Sequence, residues 1–360
     1  MSSSGARWGL PRPARQGRRL DPPSFGGLAA AACAERVLRV LSSSKYRKGS
    51  LEQMDFARCR ESLLATVLRC TRAGAPVQLT LMAFPFKVPN PAKVGPRVLP
   101  DLAELAAIHR LRALGTAIAE EYSPGMRLDI IHDGALIADV FDVGLEEVRA
   151  YEGYFARLLG AVGGGGRIRC HDFDAVQRRA GLDPAVALDQ LRDEATRWWR
   201  TTRGRPLWRA SFRKTCGMLR ARDLPPARAG ELLRAAGAGS LPPEYAFIER
   251  RVHEAMIAYR IKNAIIHRFD PRPVAFPDAI HATTRVRGGR LALWLVRRGN
   301  SLLPWHGVGV VDKNGHTRVM LAEQVANRPD LRGVVLPGED TPFCYAPSHR
   351  RLDLGTVLPV

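Results

Sequence analysis

Apolar positions fall at mostly three- and four-residue steps over residues 51–73, where Met54, Cys59, Leu63, Leu64, Val67 and Leu68 make one stripe. That spacing predicts an amphipathic helix. A shorter helix is predicted over residues 27–41, closed by Ser42, Ser43 and Ser44. After an Arg-Ala-Gly-Ala-Pro break the period changes: residues 77–86 (VQLTLMAFPF) form a near-continuous apolar run, as in a strand covered on both faces. Pro100-Asp101-Leu102-Ala103-Glu104 then has the form of a helix start, with Asp101 as N-cap and Glu104 as its capping-box partner. Leu102, Leu105, Leu111, Leu114, Ile118 and Tyr122 carry that helix to Ser123-Pro124-Gly125. Residues 128–131 predict a short strand that ends at His132-Asp133-Gly134.

The second half has another texture. A glycine run at residues 163–166 and an alternating segment at 167–173 lead into helices punctuated by Leu182-Asp183-Pro184 and Leu224-Pro225-Pro226. A long helix is predicted over residues 244–267, and strands over 291–296 and from Pro304-Trp305-His306-Gly307 onward. Residues 308–312 and 317–321, joined through Asn314-Gly315, predict a hairpin. The expected fold class is α/β: a Rossmann-like central sheet with flanking helices, a helical basic insertion and a β-rich C-terminal part. The expected division is a disordered basic leader (1–28), an α/β half with the ligand loops (29–160), a helical basic segment (161–245), and a helix plus β-rich part that completes the site (246–360).

Charge modifies this picture. The 360-residue chain carries a formal net charge of +20, but residues 1–48 hold ten Lys or Arg against two acids, so much of the excess lies outside the expected core. Net charge alone is therefore a weak argument for nucleic-acid binding. Residues 197–222 hold nine Lys or Arg and no acid, interleaved with Trp198, Trp199, Trp208 and Phe212. Such a stretch fits either a nucleic-acid surface or a solvated arginine face whose aromatics enter the core; the second is the commoner pattern. The first 28 residues lack a secretory signal's apolar segment, and no window of the chain approaches 18 uncharged apolar residues. A cytoplasmic protein is expected. Its six cysteines have no metal-ligand spacing, and dinucleotide and P-loop motifs are absent, so neither a metal nor a cofactor is expected.

Two places carry candidate chemistry. Lys87, Asn90 and Lys93 lie in a loop stiffened by four prolines (Pro85, Pro89, Pro91, Pro96), a setting suited to gripping phosphate or carboxylate. Asp133 falls at the carboxyl end of a predicted strand, where open α/β sheets bind ligands.

Tyr46-Arg47, Pro85-Phe86-Lys87 with Pro89-Asn90 and Lys93-Val94, Leu99-Pro100-Asp101 with Glu104, Tyr122-Ser-Pro-Gly125, His132-Asp133-Gly134 and Pro304-Trp305-His306-Gly307 occur in that order. In this combination the chain resembles the isonitrile (isocyanide) synthase family, the pyoverdine/dityrosine biosynthesis proteins. The resemblance covers about residues 45–155 well and 245–325 more loosely. It implies a cofactor-independent enzyme of secondary metabolism that turns the amino group of an amino acid, typically tyrosine or tryptophan, into an isonitrile with the ketone carbon of ribulose 5-phosphate. An iron and 2-oxoglutarate dependent oxygenase acting next is a further implied partner.

Carried onto this sequence, the resemblance makes Arg47, Lys87 and Lys93 candidates for phosphate and carboxylate binding and Asn90 for a sugar hydroxyl. Asp133 is the candidate proton acceptor or ammonium ligand, and His306 the proton shuttle. Asp101 and Glu104 are further candidates, although the capping box already explains them. In FPDAIHATTR, His281 and Arg285 stand in places exchanged relative to many relatives, so either could serve the same pocket from reversed positions or a different amine. The other readings are a diverged member acting on another amine, a non-catalytic sugar-phosphate binder, and a nucleic-acid binder using residues 197–222.

Overall fold

Two helices, α1 (Gly27–Ser42) and α2 (Phe56–Arg72), precede the first strand in a computed structural model of the chain, which describes residues 27–53, 55–163, 166–212, 215, 243 and 246–350. The second helix starts at Phe56 rather than near residue 51, because Ser50 and Gln53 exchange hydrogen bonds (2.9 and 3.0 Å) that close a separate turn ahead of it. The apolar run becomes β1 (Val77–Met82), followed by α3 (Leu102–Glu121), β2 (Met126–His132), α4 (Leu145–Ala161), β3 (Ile168–Asp172) and α5 (Leu188–Thr202). After the long helix α6 (Ala246–Arg268) the chain adds β4 (Ile280–Ala282) to the free edge of β1.

These four strands form a parallel sheet in the order β3-β2-β1-β4. One face, with Val77, Leu79, Leu81, Leu128 and Ile130, enters the main core beneath α1, α2, α3 and α4. The other face is polar at its centre, where Asp129 and His281 flank Thr80 in register. Asp129 accepts from Gln78 and contacts His171, each at 2.8 Å, so the buried carboxylate is satisfied. Ile131, Phe173, Leu191, Ile265 and Phe276 cover the rest of this face as a smaller second core.

The C-terminal part is a mixed sheet ordered β6-β5-β8-β7, from β5 (Val308–Val311), β6 (Thr317–Met320), β7 (Leu331–Val335) and β8 (Pro342–Pro347). The expected hairpin is β5 with β6. The expected strand over residues 291–296 makes only isolated bridges, because its backbone is divided between two loops: Leu293 N–H donates to Thr283, and Trp294 N–H to Tyr46. Of the basic segment, Trp199, Trp208 and Phe212 are buried in the main core, so these rings offer no stacking platform to a nucleic acid; residues 216–222 lie outside the described part. Among the described residues no helix is long and apolar enough to cross a membrane.

One buried ion cluster ties the two sheets together. Lys87, whose side chain is inaccessible, places its ammonium 2.7 Å from Asp101 Oδ2, 3.3 Å from Glu104 Oε2 and 2.9 Å from the carbonyl of Gly307. Asp101 also accepts from Ala103 N–H (2.6 Å) and from Gly309 N–H of β5 (3.1 Å), while Tyr151 of α4 donates to Glu104 (3.2 Å). The close approach of β5 to α3 requires glycine at 309, where a Cβ would lie 2.7 Å from Ala103 N. Removing the cation would leave two carboxylates buried without a counter-charge. Lys87→Met is therefore expected to lower unfolding stability by about 3–5 kcal/mol, measured as a fall in the urea midpoint; an unchanged midpoint would show the cluster to be dispensable.

Candidate active site

The strands β1, β2 and β4 all point their carboxyl ends at one cavity of about 160 Å³, lined among others by Ala83, Pro85, Asp133, Arg272, Ala282, Arg285 and His306. This is where a parallel sheet offers unused backbone ends and helix starts to a ligand. Gly134 lets the turn after β2 pack against the Pro85 carbonyl, where a Cβ would collide, and so sets Asp133 beside the β1 loop. Phe84 adopts a left-handed φ of 58°, an uncommon state for a bulky residue. Its burial against Phe155 and Trp305, with ring centroids at 4.5 and 5.1 Å, holds it there, and His132 Nδ1 lies 2.8 Å from its carbonyl. Trp305 is the neighbour of His306 in a 3₁₀ turn, so this packing also fixes where the imidazole enters the cavity.

The cavity has a mixed floor and a cationic mouth. Burial pushes the Asp133 carboxyl up to about 6, against the pull of Arg272 and Arg285. Arg272 is itself buried and fully engaged: Asp270 accepts from its Nε (2.9 Å) and Nη2 (2.7 Å), and the carbonyl of Ala282 from its Nη1 (3.1 Å). Arg285, Arg287 and Arg290 are exposed at the rim, and among the described residues none has a carboxylate at ion-pair distance. Burial, then the charges of Arg285, Arg290 and Arg272, hold the Arg287 pKa below its ordinary value. Burial and the neighbouring Arg287 and Arg290 likewise lower His267, whose ring lies 3.4 Å from the Arg287 guanidinium. Lys48 adds to this positive rim, donating to the Thr284 carbonyl at 3.2 Å. Three guanidinium groups that repel one another around a cleft are suited to an anion of more than one charge.

The sequence-predicted residues divide into two groups. Asp133, His306 and Arg285 meet in the cavity. Lys87, Asp101 and Glu104 form the buried cluster instead, and burial pushes the Glu104 carboxyl up to about 7 despite the lysine. Arg47 directs its guanidinium at the carbonyls of Ser42 (2.8 Å) and Gly49. Asn90 is buried as the N-cap of a short helix, accepting from Ala92 N–H at 3.0 Å, and Lys93 sits partly exposed in that helix. Neither lines the cavity. His281 points to the polar face of the sheet, with Nδ1 2.8 Å from Thr80 Oγ1; burial and Arg272 depress it to about 4. It therefore stays neutral near pH 7. Arg272, Arg287, Arg290 and His267 were not singled out by sequence, although three arginines within six residues after Thr283-Thr284 were a readable signal.

The family model described as pyoverdine/dityrosine biosynthesis protein matches residues 67–204. Through that stretch the chain is similar to the pyoverdine/dityrosine biosynthesis proteins. An L-tyrosine isonitrile synthase of Pseudomonas aeruginosa is 28% identical over 136 residues, which is 38% of this chain and 41% of that protein. An L-tryptophan isonitrile synthase of Fischerella ambigua is 38% identical over 88 residues, 24% of this chain and 27% of the relative. The aligned stretches thus span less than half the length of these curated relatives. The crystal structure of the PvcA protein from Pseudomonas aeruginosa shares the fold, with a TM-score of 0.64 at 21% identity over 87% of this chain and 99% of that one. Asp133 lies within the stretch that matches the pyoverdine/dityrosine family model, whereas the rim arginines and His306 lie beyond it.

The elevated Asp133 pKa has a consequence for stability. Folding raises it from an ordinary 3.8 to about 6, so the folded state holds the proton more tightly and loses stability as pH rises through that interval. Asp133→Asn, which removes the ionisation, is expected to match the parent near pH 4 and to exceed it above pH 6.5 by on the order of 2 kcal/mol. Thermal unfolding of both chains across that range tests this; a gap that stays constant with pH would refute the assignment.

Proposed function

We propose that this chain is an isonitrile synthase of secondary metabolism, joining the amino group of tyrosine or tryptophan to the ketone carbon of ribulose 5-phosphate without a cofactor. One observation carries the reading: a carboxyl group pushed up to about 6 and an imidazole share a cavity with three arginines that have no carboxylate at ion-pair distance among the described residues. The relatives' names, L-tyrosine and L-tryptophan isonitrile synthase, support the amino-acid substrate.

The chemistry makes two demands. A substrate ammonium must lose a proton before its nitrogen attacks the ketone, and Asp133 is ionised above about pH 6 and so able to accept it. The resulting carbinolamine must then lose water, which requires a proton delivered to the departing hydroxyl; His306, an imidazole at the cavity wall, takes that role. Arg285, with Arg287 and Arg290, grips the sugar phosphate at the rim and leaves the ketone directed at the floor. In this reading Lys87, Asp101 and Glu104 act as structure, not as ligands. The imine so formed must next lose the phosphate and break both carbon–carbon bonds to the former ketone carbon, releasing the remaining sugar carbons as fragments, and the isonitrile then passes to an iron and 2-oxoglutarate dependent oxygenase. The displacement of His281 from the cavity, with Arg285 at its mouth, favours as second reading a member acting on a different amine.

Incubation with ribulose 5-phosphate labelled at the ketone carbon and a pool of amino acids, followed by tetrazine trapping and mass spectrometry, is expected to give a labelled adduct. Asp133→Asn is expected to lower kcat by about 100-fold or more. Arg285→Gln is expected mainly to raise KM for the sugar phosphate. Absence of any labelled isonitrile with every amino acid would sink the proposal.

A further inference from the structure

The reaction proposed above needs two substrates, and the arginine-rimmed cavity has a neighbour. A second cavity, of about 290 Å³, adjoins it along α6 and is lined among others by Trp198, Met256, Tyr259, Arg260, Asn263 and His267. Tyr259, Asn263 and His267 line both cavities. They are spaced four residues apart on α6 and so share one face of the helix, forming a common wall.

The second cavity has its own chemistry. The guanidinium of Arg260 lies over the ring of Trp198, 4.4 Å from its centroid. Glu194, a carboxylate whose charge reaches Arg260, is held by Arg268 in an ion pair. The indole N–H of Trp198 is buried with no hydrogen-bond partner among the described residues. A buried donor left unmatched costs free energy that a ligand acceptor would recover. Beside this pair of donors stand the buried Met256 and the Tyr259 ring, which is tilted against Phe141 at 5.8 Å between centroids.

We infer that the second cavity is the amino-acid chamber: Arg260 and the Trp198 N–H take the α-carboxylate, Met256 and Tyr259 the side chain, and the amine reaches between the shared residues into the anion cavity. The inference rests on the reading of this chain as an enzyme that joins an amine to a sugar phosphate. It assigns the two substrates to different chambers, so that each can be bound without the other. A carboxylate held on Arg260 also keeps the amino acid's own negative charge away from the rim arginines, which stay available for the phosphate.

Calorimetric titrations of the full chain with L-tyrosine, L-tryptophan, tyramine and inorganic phosphate test the assignment. Arg260→Gln is expected to weaken amino-acid binding roughly tenfold or more, the size of a lost charge-assisted hydrogen bond, and to leave phosphate affinity within about twofold. Trp198→Phe keeps the ring, removes the N–H, and is expected to cost about three- to tenfold in amino-acid binding alone. Arg285→Gln is expected to do the reverse, and tyramine, lacking the carboxylate, to bind weakly in every chain. Competition between phosphate and amino acid, tyramine binding as tightly as tyrosine, unchanged amino-acid affinity in Arg260→Gln, or no amino-acid binding at all would each overturn the chamber. The two readings fail separately. Labelled isonitrile formed by Arg260→Gln at the parental amino-acid KM leaves the reaction and removes the chamber, whereas independent amino-acid and phosphate sites in a chain that makes no isonitrile leave the chamber and remove the reaction.

Discussion

A lysine ammonium has three protons to place, and Lys87 places them on Asp101, Glu104 and the carbonyl of Gly307. Those acceptors belong to the first turn of α3 and to the residue that follows His306, so one side chain joins the loop after β1, a central helix and the start of the second sheet. A buried charge is tolerable only when its partners are fixed in number and geometry. The same requirement fixes the backbone on which His306 stands. The site inherits its geometry from an interaction buried behind the cavity lining.

Around that frame the ionisable groups are sorted by position. The floor of the cavity holds groups whose charge is compensated or suppressed: Arg272 neutralised by Asp270, and Asp133 with its proton held to about pH 6. The rim holds Arg285, Arg287 and Arg290, which have no ion-paired carboxylate among the described residues. Such a gradient favours a ligand with its anionic end outward and its reacting end inward, where removal from water strengthens each remaining interaction. The polar face of the sheet behind the floor, with Thr80, Asp129, His171 and His281, satisfies its own hydrogen bonds and so does not compete for the ligand.

Much of this was legible in the sequence, for reasons that differ from residue to residue. The strand ending at His132-Asp133-Gly134 gave a carboxylate at a strand's carboxyl end, and that position is a site in any parallel sheet. His306 was legible through the Pro-Trp-His-Gly turn, and the capping box of Asp101 and Glu104 is present in α3. The role of Lys87 was not. A cation in a proline-stiffened loop can point out to an anion or in to buried carboxylates, and the backbone pattern is the same for both. The decisive clue lay a helix away, since two acids in a first turn rich in apolar neighbours call for a buried counter-charge. Arg272, Arg287 and Arg290 escaped notice because the first opens a four-residue helix and the others fall in a loop, segments too short or irregular for periodicity, where the chain's path is set by docking of β4 and not by local preference.

The edge position of β4 bears on how the site comes into being. Asp133 and the loop after β1 are synthesised early, but the strand beside them, the rim arginines and His306 come from the far end of the described chain, after α6. Closing so long a loop has an entropic cost that local contacts cannot offset, so these pairings belong to the late steps of folding. A nascent or truncated chain therefore carries Asp133 and the loop after β1 without His306 or the anion-binding rim. The cavity is complete only when β4 and the turn that carries His306 are both in place.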